Sequence, residues 1–64
     1  MTFEVNMVFE RETKGAYRFA EVDDAGNPVE QVWAKLGTQY IRKTAFERGA
    51  GSPRKLRVTV EVTA

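Results

Sequence analysis

The sequence predicts an all-β domain, or a β-dominated α+β one: a small antiparallel sheet or barrel of four or five strands with one short helical turn. Three observations carry this. Apolar and polar residues alternate over 2–10 and again over 55–63, the period-two pattern of half-buried strands. Turn signals built from Gly, Pro and Asp punctuate the chain between them. Helical spacing occurs only in one short stretch, 29–36, and an isolated helix of that length is weak.

Strand one is the segment 2–10, with Phe3, Val5, Met7 and Phe9 inward and Val8 the one apolar exception on the outer side. Residues 11–15 are polar and end in Gly15, a hairpin connection in which glycine supplies positive φ. Strand two is 16–22. Its faces admit two assignments, Tyr17 and Phe19 inward with Arg18 outside, or Ala16, Ala20 and Val22 inward. Burying two rings gains more than burying alanines, which favours the first.

Residues 23–28, Asp-Asp-Ala-Gly-Asn-Pro, form a turn with Gly26 in the left-handed region. Val29, Val32, Trp33 and Leu36 then sit at helical spacing, with Asn27 as a candidate N-cap and Gly37 as a stop. The hairpin-like turn before them favours an extended strand, with a short helix as the rival. Residues 38–43 carry the β-branched and aromatic residues of a strand. Gly37, as a bulge, would put Leu36 and Ile41 on one face and turn Tyr40 and Arg42 outward. Thr44 and Glu47 fit a capping box around one helical turn, with Phe46 plugging the core. A loop over 49–53 leads to the last strand, with Leu56, Val58, Val60 and Val62 inward and Lys55, Arg57, Thr59, Glu61 and Thr63 outward.

Residues 1–64 make a single domain. A chain this short buries only about 60% of its unfolded surface, so small domains lean on disulfides, metals or partner subunits. With no cysteine and no histidine, the thiolate and imidazole staples are absent; self-association or unusually good packing remains, and the reading is a homodimer or other homo-oligomer. The same two absences remove the usual nucleophile–base sets. The acids Glu21, Asp23 and Asp24 read as turn chemistry rather than a calcium loop, and Gly49-Ala50-Gly51 lacks the rest of a phosphate loop. A domain of this size is expected to have little room for a pocket of about 300 Å³ or more. No enzyme activity, no metal and no cofactor are expected. No apolar run reaches the roughly 20 residues of a membrane span and the N-terminus lacks a signal-peptide pattern, so the expected location is cytoplasmic, without a membrane partner.

The charge is divided. Residues 1–32 carry three cations and seven acids, whereas 33–64 carry seven cations and two acids. Such asymmetry points to an electrostatic partner or to attraction between the halves. The stretch 42–57 concentrates Arg42, Lys43, Arg48, Arg54, Lys55 and Arg57. If the strand around Tyr40 pairs with the last strand, Tyr40, Arg42, Lys55 and Arg57 share one outward face, where a ring stacks a base and cations hold phosphates. The first expectation is therefore a non-enzymatic nucleic-acid-binding protein using Tyr40, Arg42, Lys43, Arg54, Lys55 and Arg57. The alternative is a protein-interaction or inhibitor module acting through a sheet edge or dimer face, for which Trp33 is the natural anchor. A lone tryptophan in a small domain is more often core.

Three stretches, Glu12-Thr13-Lys14-Gly15-Ala16-Tyr17-Arg18-Phe19, Gly37-Thr38-Gln39-Tyr40-Ile41-Arg42-Lys43-Thr44-Ala45-Phe46 and Pro53-Arg54-Lys55-Leu56-Arg57-Val58-Thr59-Val60, together resemble a set of short, uncharacterised bacterial and phage proteins with the same order of motifs. The resemblance spans most of the chain and implies a free-standing small protein. It carries no activity, so it assigns no functional residues. Where that set runs straight from turn to strand, this chain has extra residues around 29–35.

Overall fold

The computed structural model describes residues 1–46, 49 and 51–63. Among these residues four strands follow one another: β1 (Thr2–Glu12), β2 (Ala16–Val22), β3 (Gln39–Arg42) and β4 (Lys55–Glu61). They form one antiparallel sheet, curled into a half-barrel, in the spatial order β3-β2-β1-β4. The long β1 lies inside, flanked by β2 and β4, because the alternation that begins at Phe3 persists long enough to pair on both sides.

Register decides what is buried. Phe9 faces Phe19, Val5 faces Val58, Met7 faces Leu56, and Tyr17 faces Ile41. These stacked pairs make the concave lining. Val5, Met7 and Phe19 are buried, with Phe3, Leu36, Phe46 and Val58 among the half-buried residues packed on them. Phe19 is fully enclosed; its ring meets Phe9 edge-on, centroids 6.1 Å apart. Phe46 tilts against both Tyr17 and Phe19, at 5.6 and 6.1 Å, and so fills the core as its position suggested. A register shift between Phe9 and Arg11 leaves Glu10 as an extra residue on β1 near the hairpin end.

Strand two takes its first assignment, Tyr17 and Phe19 inward. Val22 nonetheless lies buried on the other face, because the 23–28 turn folds back and bridges it to Pro28. Asp23 organises that turn: its Oδ1 accepts from the amides of Ala25 and Asn27, and Gly26 adopts φ 87°. At the β1–β2 hairpin, the Thr13 hydroxyl closes the turn by accepting from the Ala16 amide. Gly15 there is not in the left-handed region that its position suggested.

Three expectations are corrected. The 29–36 segment is neither strand nor α-helix; it holds a single 3-10 turn, Gln31–Trp33, with extended backbone at both ends. The second helical turn is also 3-10, Lys43–Ala45, two residues earlier than the capping box implied, with Arg42 rather than Thr44 at the N-cap and no side-chain cap. Glu47, the other half of that box, and Arg48 lie outside the described residues. Gly37 does not bulge a strand. It turns the chain with φ 71° before β3 begins, which still lets Leu36 and Ile41 both reach the core.

Candidate interaction surface

The outer, convex face is built from the residues that alternate with the core. β4 presents Lys55, Arg57, Thr59 and Glu61, β1 presents Glu4, Asn6 and Val8, β2 presents Arg18 and Ala20, and β3 presents Tyr40 and Arg42. Val8 sits opposite Ala20 on one side and Lys55 on the other, and is half-buried.

The sheet order separates the expected site. β3 and β4 do not pair; they are the two opposite edges. Tyr40 and Arg42 therefore lie three strand spacings from Lys55 and Arg57, about 14 Å. All four point outward as their parity requires, but they form two groups. Arg54 precedes β4, and its carbonyl accepts from the Phe9 amide. Lys43 lies near the inner rim, its ammonium 5.4 Å from the Tyr17 ring centroid and paired with Glu12.

Carboxylates interrupt the positive charge. Arg18 Nε lies 2.6 Å from Glu10 Oε1, although its N–H is not aimed to hydrogen-bond, so the contact is an ion pair. The Arg18 guanidinium also stands 5.8 Å from the Tyr40 ring centroid. Arg57 approaches Glu4 at 3.9 Å, with both side chains mostly exposed, a loose pair that water screens. Arg42, Arg54 and Lys55 have no acidic partner among the described residues.

Trp33 is not core. It is 77% exposed, and its neighbour Val32 equally so. The turn that holds them outward is fastened to the sheet by Glu21. The parity that carries Tyr17 and Phe19 inward carries Glu21 inward too, opposite Met7. The residue is 8% exposed, and its carboxylate receives three consecutive backbone amides: Lys35 on Oε2 at 3.2 Å, Leu36 and Gly37 on Oε1 at 2.8 and 2.9 Å. Successive N–H groups converging on one anion form a nest, with Gly37 supplying the left-handed residue. Burial pushes this carboxyl up, but the amides of Leu36, Gly37 and Lys35 and the Lys35 charge outweigh it, and the group sits below the ordinary carboxylate range. Glu21 was grouped in sequence with Asp23 and Asp24; in space it is buried and structural, whereas both aspartates are exposed.

A groove of about 360 Å³ crosses the outer face between the 23–26 turn and β4, lined by Asn6, Val8, Val22, Asp24, Lys55 and Arg57 among others. It exceeds the size expected to be beyond so short a chain. A smaller one, about 250 Å³, lies beside Trp33, between Val29, Lys35 and Glu4. Among the described residues no cluster of acidic side chains is placed to hold a metal ion, and no helix is long and apolar enough to cross a membrane. No family model, curated protein or solved structure matches the chain. The resemblance to short bacterial and phage proteins rests on the three sequence stretches alone.

Proposed function

We propose that this is a non-enzymatic binding protein whose ligand is another protein, engaged through the Val32 and Trp33 turn. The observation that carries the reading is that two adjacent large apolar side chains stand 77% exposed on a turn fixed from beneath by the Glu21 nest. Exposed apolar pairs on a turn tethered to the sheet suit a protein interface, where tryptophan is a frequent anchor. Preorganisation lowers the ordering cost of binding.

Nucleic acid is the second reading, favoured by Tyr40, 56% exposed on the β3 edge beside Arg42, and by Arg54 and Lys55, which have no acidic partner among the described residues. It ranks behind because phosphate binding draws on a sustained positive field. Here Glu4, Glu10 and Glu12 sit among the cations, and the net charge is only +1.

A photo-reactive amino acid placed at position 33, with one at the exposed position 14 as control, separates the two readings in the source cells. The expected product is a discrete protease-sensitive adduct from position 33 only. A nuclease-sensitive adduct, or equal labelling from both positions, overturns the first reading. For the second, binding of a generic single-stranded oligonucleotide should weaken steeply with salt and be lost in the R42E/R57E variant. Unchanged binding by that variant removes Arg42 and Arg57 from the site.

A further inference from the structure

We propose that two copies of this chain associate through the open edge of β4, antiparallel and centred on Val58, to give one continuous eight-stranded sheet.

The backbone makes the edge available. Phe9 N donates to Arg54 O and Val62 N donates to Met1 O at the two ends of the β1–β4 ladder. Hydrogen-bonded and non-hydrogen-bonded pairs alternate along an antiparallel ladder, so the even-numbered residues of β4 spend their backbone groups on β1. The N–H and C=O groups of Lys55, Arg57, Thr59 and Glu61 therefore point away from the sheet. Among the described residues, no backbone hydrogen bond outside the sheet ladder reaches them. β3, the other edge, is only four residues long.

The side chains choose the partner and the register. With Val58 opposite Val58 of the second copy, Lys55 lies directly across from Glu61 of that copy, and Glu61 across from its Lys55. Neither charge has a partner within its own chain among the described residues. Arg57 then faces Thr59. On the inner face Leu56 meets Val60, extending the apolar lining across the junction; these half-buried residues lie at the sheet rim in the single chain. Moving the centre to Arg57 would set the two Arg57 side chains against each other. Moving it to Thr59 shortens the overlap and leaves Lys55 beyond the partner's strand. Full overlap and opposite charges coincide only at Val58.

The edge carries lysine and arginine, which blunt indiscriminate strand addition. The glutamate at the far end makes the edge complementary to its own reversed copy, so the same charges that repel other edges select this one. The surfaces differ from the Val32 and Trp33 turn, so failure of the proposed partner reading leaves this inference standing.

Sedimentation of the full chain at low salt provides the test, with circular dichroism confirming that each variant folds. The parent is expected to show a concentration-dependent shift from one chain to two. E61K and K55E should each weaken association roughly tenfold, since each places like charges face to face twice per dimer. An equimolar mixture of E61K and K55E should recover association, because the mixed pair restores both attractions. A parent that stays a single chain at every concentration overturns the proposal. So does a K55E chain that dimerises as the parent does, or a mixture that remains monomeric.

Discussion

At the scale of single residues, Phe19 and Trp33 show what an aromatic side chain contributes when its place is decided by register rather than by hydrophobicity. Phe19 is wholly enclosed and Trp33 is 77% exposed. F19A should cost about 3–5 kcal/mol, most of the stability of so small a domain, whereas W33A should change it by about 0.5 kcal/mol or less. Urea midpoints of the two variants measure the difference. The native tryptophan emission should already be that of a water-exposed indole and shift little on unfolding; a large red shift would return Trp33 to the core. Glu21 is the residue most easily misjudged. An inward carboxylate reads as an error in a strand until the three amides it accepts are known. E21Q should cost about 1–3 kcal/mol at neutral pH, because the amide it introduces turns donors against donors. Since the folded carboxyl is held below its ordinary range, Glu21 stabilises the fold above the unfolded-state pKa, and that contribution is lost as pH falls through the folded one. The gap between parent and E21Q should therefore close in acid; a gap that persists at low pH would mean that the charge on Glu21 is not its cause.

At the scale of elements, the strands were legible and the connections only partly. β1 and β4 announce themselves by alternation, and the Asp-rich turn after β2 by its composition. The 29–36 segment misled because its apolar residues satisfy a helical spacing while nothing beneath them demands a continuous apolar stripe. Leu36 alone reaches the core, Val29 is half-buried, and Val32 and Trp33 face water. The segment takes its shape from the nest at Lys35, Leu36 and Gly37 instead. Gly37 is the conformational pivot, with φ 71° and an added Cβ meeting, among the described residues, only Gln31 Nε2, at 3.7 Å, so its replacement is strained by the backbone and not by crowding. G37A should cost about 1–2 kcal/mol. G15A, where a Cβ meets nothing within 4 Å among the described residues and φ is not positive, should leave stability within about 0.5 kcal/mol. Thermal melts of the pair decide this, and equal losses would contradict the assigned turn geometries.

At the scale of the whole molecule, the order β3-β2-β1-β4 sets both stability and surface. β1 and β2 are paired on both sides and should hold the slowest-exchanging amides, and the four-residue β3 the fastest of the strands. In the single chain, β4 should show an alternation, with Leu56, Val58 and Val60 protected and Lys55, Arg57, Thr59 and Glu61 exchanging freely. Protection of all seven in dilute protein would mean that something already covers the edge. The sequence by itself determined the all-β class, the inward set of β1, the inward Leu56, Val58 and Val60 of β4, and the outward direction of Tyr40, Arg42, Lys55 and Arg57, because alternation is a local property of an extended backbone; Val62, expected inward with them, lies past the end of β4 and is 55% exposed. Only the tertiary structure decided which strands are neighbours, and with that the separation of Tyr40 and Arg42 from Lys55 and Arg57, the acids standing among the cations, the burial of Glu21 and the exposure of Trp33. Those outcomes depend on contacts between residues far apart in the chain, and period-two spacing places a side chain on a face without saying which strand lies beside it.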